Sequence, residues 1–289
     1  MQTFSPLPDW LQLEHDVAEI FAEQYKHGWS FDVAKAQQLE QTLRSEMEEL
    51  DGVLRKQFPF VAGTLYVPKR SNRTQGYIEG CEIQRIKETN FTSRDHIAWI
   101  LQTHLGQKLP QLTMNGKPEI SEVTLQEMNL PFSNKCARIL ALKKQLGMLS
   151  EGVTAYLKLS TIAERLHHTC AVTCATHRTS ANKPNLQQVP SDKAFRELFR
   201  ATPGQYLVSA DLSGIELRML SHYLTRYDGG RYRDILLNGD IHQTNADAIG
   251  VSRRLVKTIS YAIIYGASFQ KLGHTYDQSL TIERARAKG

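Results

Sequence analysis

The sequence predicts an α+β chain, mostly helical, with a small sheet in its second half. Three observations carry this. Apolar residues recur at helical spacing through the first 58 residues and again from Cys136 to Leu166. The period shortens to strand alternation at Cys170–Cys174 and Tyr206–Ala210. Helical spacing then resumes at Ile215 and at Arg253. With 289 residues the chain is long enough for a sizeable core and more than one domain.

Leu11, Val17, Ile20 and Phe21 form the apolar stripe of a first helix starting near Trp10. Gly28-Trp29-Ser30-Phe31-Asp32 breaks it, and Asp32 is placed to cap a second helix from Val33 to Lys56. That helix is polar on most faces and is expected to project into solvent. From Pro59 to Asn90 periodicity is lost, and Gly63, Pro68, Gly76 and Gly80 punctuate a loop-rich stretch. It carries Lys69, Arg70, Arg73, Arg85 and Lys87 among Tyr66 and Tyr77. Such a basic loop either grips a phosphate backbone or is simply solvated. Ser93 is placed to cap a helix reaching Leu105, and Ser121-Glu122-Val123-Thr124 to open another. Cys136 to Leu166 is the longest expected helical stretch, interrupted near Gly147 and Gly152.

The net charge of +5 suits a polyanionic partner without requiring one. No apolar run approaches the roughly 20 residues of a membrane span, and Met1 to Asp16 lacks a basic-then-apolar leader, so a cytoplasmic protein is expected. Cys81, Cys136, Cys170 and Cys174 make no disulfide framework. His167, His168, Cys170, Cys174 and His177 hold the residue types of a zinc site. On a strand, however, Cys170 and Cys174 lie too far apart for one ion, and ordinary packing is the expected role.

Two runs carry chemistry. The apolar Tyr206–Ala210 delivers Asp211 to a strand end, where a fixed carboxylate serves as a hard oxygen ligand for Mg²⁺. Taken alone, Asp211 would be a turn or helix-cap residue, and Glu216 a favourable charge in a helix's first turn. In the second run Arg253, Lys257 and Tyr261 recur at every fourth residue, about 400° per step, and so line one helix face. Two cations followed by an aromatic ring match the phosphates and base of a nucleoside triphosphate.

Asp211-Leu212-Ser213-Gly214-Ile215-Glu216-Leu217-Arg218 and Arg253-Arg254-Leu255-Val256-Lys257-Thr258-Ile259-Ser260-Tyr261-Ala262-Ile263-Ile264-Tyr265-Gly266 resemble motifs A and B of family A DNA polymerases. Upstream, Thr176-His177-Arg178 and Pro184-Asn185-Leu186-Gln187 resemble the family's Thr-Gly-Arg and Pro-Asn-Leu-Gln, with His177 in place of glycine. The resemblance implies Asp211 and the Leu212 carbonyl as metal ligands and Glu216 as a gate against the ribose 2′-OH. It places His242, Arg253 and Lys257 on the triphosphate, with Lys257 protonating pyrophosphate and Tyr261 packing on the incoming sugar and base. Arg178, Asn185 and Gln187 would contact the primer–template duplex from the minor groove, and Tyr265 with Gly266 would lie by the templating base.

By this resemblance the chain has a right-hand architecture of helical thumb, partial palm sheet and truncated fingers. Residues 1–35 would be a palm-adjoining N-terminal helix and 36–150 the thumb with a basic loop insertion. Residues 151–240 would form the palm with motif A, and 241–289 partial fingers with motif B. Motif C, with the second carboxylate of the two-metal Mg²⁺ site, is expected beyond Gly289; His15-Asp16 has its letters but sits in an N-terminal helix. The expected activity is DNA-directed DNA synthesis from dNTPs on primer–template DNA. A second chain carrying motif C would complete a split enzyme; the alternative is a non-catalytic primer–template-binding remnant.

Overall fold

The computed structural model describes residues 7–109, 112–113, 116–172, 174, 178–277 and 282–288. Helix predominates, and the strands form three separate antiparallel pairs. The α+β class holds, but the expected single small sheet is three two-stranded pieces. The chain divides into two compact units, Met1–Leu109 with Pro118–Leu207, and Pro110–Lys117 with Val208–Gly289.

In the first unit α1 (Asp9–His27) ends at Gly28, whose φ of +66° favours glycine and where an added Cβ would strike the His167 ring at 2.7 Å. β1 (Trp29–Ser30) follows, and α2 (Val33–Gln57) is capped by Asp32, which accepts from the Lys35 N–H at 2.9 Å. Contrary to expectation, α2 does not project into solvent. Ala36, Leu43 and Leu54 are buried at spacings of seven and eleven residues, each close to a whole number of turns. That narrow stripe is enough to seat α2 along the later helix Pro131–Leu146, whose Arg138 adds a two-pronged bond to Glu46, 2.6 Å at each oxygen. The many polar residues occupy the remaining faces and hid the stripe.

The stretch expected to be loop-rich is a β-ribbon. β2 (Phe60–Tyr66) pairs with β3 (Ile83–Glu88), with a register shift between Ala62 and Leu65. The shift breaks alternation in β2, and β3 is exposed almost throughout, so neither strand shows a hydrophobic period. Next come α3 (Arg94–Thr103), α4 (Glu122–Glu127) and α5 (Pro131–Leu146). Ser121 and Thr124 form the expected box at α4, whereas the Ser93 side chain makes no capping bond. After α5 a π-helical turn, Gly147–Glu151, leads to α6 (Tyr156–Leu159), so α2 rather than this stretch is the longer helix. β4 (Arg165–Leu166) pairs with β1, and β5 (Thr169–Ala171) with β6 (Ser180–Asn182). The strand expected over Cys170–Cys174 thus ends at Ala171. α7 (Lys193–Arg196) closes the unit.

Two apolar clusters fill this unit. One gathers Leu54, Val61, Phe91, Ile97, Ile100, Leu101, Leu125 and Ile139; the other gathers Phe31, Leu43, Leu142, Leu146, Tyr156, Leu166, Phe195 and Leu198. Phe31 is fully buried against the rings of Tyr156 and Phe199. Around it the Phe31 N–H donates to Glu164 O and the Asp32 N–H to Leu198 O, both at 2.8 Å. Arg200 then reaches both the Asp32 and Glu164 carboxylates, at 3.1 and 2.6 Å.

Six helices are described in the second unit: α8 (Ile215–Asp228), α9 (Arg231–Asn238), α10 (Ile241–Ile249), α11 (Arg253–Ile264), α12 (Phe269–Tyr276) and α13 (Ile282–Lys288). Its buried residues are few, among them Leu217, Ile241, Val256, Leu272 and Ala285. Gly273 lets α12 lie directly on the Ala285 backbone of α13, where any side chain would collide. The strand expected at Tyr206–Ala210 is not formed. No described segment pairs with it, and a strand exists only in a ladder. Tyr206 and Val208 are left 93% and 89% exposed. Among the described residues no helix is long and apolar enough to cross a membrane.

Leu142 bridges α2 and α5 with no exposed surface. Leu142→Ala should therefore cost about 2–5 kcal/mol of stability, read as a lower urea midpoint.

Candidate functional site

In the second unit α10 and α11 meet at one carboxylate. Asp240 caps α10: its Oδ1 accepts from the His242 and Gln243 N–H groups at 3.0 and 3.1 Å. Its Oδ2 accepts from Arg253 Nε at 2.8 Å, so the group that seats His242 also orients the first cation of α11. The Arg253 guanidinium, then the Gln243 N–H, hold the Asp240 carboxyl below the ordinary range.

Ser252 caps α11, and Val256 turns into the unit interior. Arg253 and Lys257 stay exposed and Tyr261 is half-buried, so the spaced stripe lies on a single formed helix. The His242 ring sits 6.2 Å from the Tyr261 ring, with Nδ1 buried and without a partner among the described residues. Burial, then the Arg253 charge, lowers the His242 pKa; Asp240 opposes this. An imidazole kept neutral beside two cations presents a ring nitrogen without adding charge.

α8 starts after Gly214, at φ +57°, with Glu216 in its first turn. The Tyr265 hydroxyl, at the end of α11, donates to Glu216 Oε1 at 3.0 Å. Gly266, at φ +72°, turns the chain immediately afterwards. This bond brings together two predicted site residues separated by 49 positions. Asp211 and Leu212 precede α8 and are exposed. Among the described residues no cluster of three His, Cys, Asp or Glu side chains gathers around Asp211 or elsewhere.

The duplex-contact candidates belong to the first unit. Asn185 caps the short turn Leu186–Gln188 by accepting from the Gln187 N–H at 3.1 Å, and Gln187 Nε2 donates to Thr179 Oγ1 at 2.6 Å. These bonds fix Asn185 and Gln187 in a defined loop beside exposed Arg178. Thr176 and His177 lie outside the described residues. Of the zinc candidates, His167 Nδ1 bonds the Tyr25 carbonyl at 2.6 Å and His168 is buried beside Gln24 and Trp29. Both imidazoles are engaged in packing, and His177 is again outside the described residues.

Sequence reasoning passed over Asp240. Its signal was an aspartate directly before a helical run, the commonest kind of N-cap. Only the fold shows that its second oxygen holds Arg253.

A model of DNA polymerase family A matches residues 69–289. The chain belongs to DNA polymerase family A. It is 27% identical to the DNA-directed DNA polymerase of Escherichia phage T7 over 91% of this chain and 46% of that protein. It is 29% identical to DNA polymerase I of Pseudomonas aeruginosa over 63% of this chain and 21% of that one. The chain thus spans about half the length of the phage relatives it matches. Among solved structures, the POL domain of Pol1 from M. smegmatis, in complex with DNA primer-template and dNTP, superposes with a TM-score of 0.63. That match covers 93% of this chain and 44% of the other at 21% identity, which establishes likeness of fold. Every predicted site residue of this family A chain falls inside the matched region.

The His242 ring should titrate below the ordinary 6.5, and lower again in Asp240→Asn, which keeps the cap acceptor but removes the opposing charge. Because the unfolded chain then binds the proton first, His242 should withdraw stability as pH falls below about 6.5. NMR titration of the ring C–H signals checks both.

Proposed function

We propose that this chain forms the triphosphate-binding and primer–template-binding part of a DNA-directed DNA polymerase. The observation that carries this is the Arg253, Lys257 and Tyr261 face of α11, with His242 held beside it by the Asp240 cap. In this reading the right-hand division is 1–35 as the N-terminal helix adjoining the palm, 36–150 as thumb, 151–240 as palm and 241–289 as part of the fingers. The M. smegmatis neighbour, whose structure holds primer-template DNA and dNTP, supports these two ligands for this chain.

The chemistry is attack of a primer 3′-OH on the α-phosphorus of a dNTP. A new phosphodiester forms as the bond to the β-phosphate oxygen breaks, and pyrophosphate leaves. Arg253 and His242 hold the phosphates. Lys257 gives its proton to the leaving pyrophosphate oxygen. Tyr261 packs on the incoming sugar and base, and Glu216, its carboxylate steadied by Tyr265, excludes a 2′-OH. Arg178, Asn185 and Gln187 follow the duplex through its minor groove, where correct pairs present similar acceptors.

The exposed Asp211 carboxylate and the Leu212 carbonyl are hard oxygens that fit Mg²⁺ as part of an oxygen shell completed by phosphates and water. When bound, the ion neutralises phosphate charge at the reacting centre. Among the described residues no group of three His, Cys, Asp or Glu side chains gathers at Asp211, which also favours a second reading, in which a partner chain supplies motif C or the protein binds without turnover.

Primer extension with Mg²⁺ and four dNTPs tests the proposal. Extension should vanish in Asp211→Ala and fall about 10²–10⁴-fold in Lys257→Ala. Primer–template and dNTP binding without extension would favour the second reading, and absence of both would overturn the first. If the Tyr261 hydroxyl stands in for a missing 3′-OH, Tyr261→Phe should sharpen discrimination against dideoxynucleotides in single-turnover incorporation; unchanged discrimination removes that role.

A further inference from the structure

Asp240 carries more hydrogen-bonding capacity than a helix cap uses. A cap needs one acceptor, and Ser252 and Ser268 supply it to α11 and α12 with a single hydroxyl. Asp228, ahead of α9, turns both carboxylate oxygens onto its own turn, accepting from the Gly230 and Tyr232 N–H groups at 2.8 Å each. Asp240 divides its oxygens differently. The His242 and Gln243 N–H groups share Oδ1, and Oδ2 is left to Arg253, 13 positions on.

That carboxylate is held from behind. The Asp240 carbonyl accepts from the Thr244 N–H at 2.9 Å and from Thr244 Oγ1 at 3.1 Å. Ile241, next in the chain, is buried, as is Val256 on the facing side of α11. With its backbone and Oδ1 both committed, the direction in which Oδ2 points is set before any ligand arrives.

A guanidinium has two usable edges, whereas an ammonium is a point charge. Asp240 takes Arg253 through Nε, and the two terminal nitrogens make no hydrogen bond among the described residues. The Nε bond therefore stops the group rotating without occupying the end that would meet a phosphate. Lys257, one step along the same face, is exposed and has no ion pair among the described residues. Of the two cations, the one with a second edge is the one a carboxylate holds.

A carboxylate in this place acts on a polyanion in two opposed ways. Its charge repels phosphates, and its hydrogen bond removes the ordering cost of a long side chain when the ligand binds. Both members of the pair are about half exposed, so water and salt screen the repulsion. Orientation is not screened, and Arg253 can hold Asp240 and a phosphate together. The second effect wins.

We infer that Asp240 is a positioning residue for the triphosphate: it fixes Arg253 through Nε so that the two terminal nitrogens meet phosphate oxygens as a preset fork. The inference rests on the polymerase reading for its ligand. It opposes the simpler picture in which Asp240 stands in for phosphate and must be displaced.

Equilibrium titration of the 289-residue protein with a dNTP and with the matching dNMP tests it. Asp240→Asn keeps an oxygen for the His242 and Gln243 N–H groups and turns an amide NH₂ toward Arg253 Nε, where two donors cannot bond. It should weaken dNTP binding about 10-fold while leaving dNMP binding within about 2-fold. Arg253→Lys keeps the charge but has no second edge, so it should lose a similar factor, and it stands as the test should Asp240→Asn not fold. In an Arg253→Ala background, Asp240→Asn should change dNTP affinity by less than about 2-fold, a coupling that a purely structural cap would not show. Tighter dNTP binding in Asp240→Asn would mean that the carboxylate competes with phosphate. The same loss in the Arg253→Ala background, an equal loss for dNMP, or undiminished dNTP affinity in Arg253→Lys would mean that no fork is being positioned. Any of these overturns the inference. Wild type that binds no dNTP would count against the polymerase reading instead, before any variant is compared.

Discussion

Phe31 and Asp32 form the junction on which the first unit depends. Two adjacent residues tie together segments around positions 31, 164 and 198, far apart in the sequence. Phe31 fills the second apolar cluster with its ring and joins Glu164 through its backbone, while Asp32 meets Leu198 and caps α2. Arg200 closes the knot by pairing with Asp32 and Glu164 together. Its side chain is half exposed, so its ion pairs are screened and add little stability singly. Their value is geometric: within the first unit they hold Arg200 against the segments that carry Asp32 and Glu164.

The second unit is organised differently. Few of its side chains are buried, and polar contacts do much of the positioning. Asp240 serves two helices at once, and Tyr265 joins α11 to the first turn of α8. Such contacts set angles and protonation states more than they set free energy. The cations of α11 stay exposed, and one carboxylate, Asp240, offsets the charge of Arg253 beside an imidazole that adds none.

What the sequence showed follows from which forces are local. Helix caps at Asp32, Ser121 and Ser252 depend on a few neighbouring residues and were visible or are easily rationalised. The α11 stripe was legible because a four-residue repeat fixes its own geometry. The ribbon was not, since pairing joins residues far apart in sequence, such as Val61 with Lys87, and an exposed strand needs no hydrophobic alternation. The motif A strand failed in the opposite way: its apolar alternation is real, but no described segment supplies a ladder. Asp240's link to Arg253 also escaped, because the sequence shows a cap and not what its second oxygen will meet.

The exposed run before α8 gives Asp211 a second physical role. From Ala201 to Ile215 it is the single charged residue, in a stretch that includes Tyr206, Leu207 and Val208 with unpaired backbone. Uncharged apolar segments of this kind invite strand addition between copies, and a carboxylate at their edge acts as a gatekeeper against aggregation. The acid proposed as a metal ligand is thus also the one charge of the segment, so its replacement would change colloidal behaviour whatever it does to chemistry.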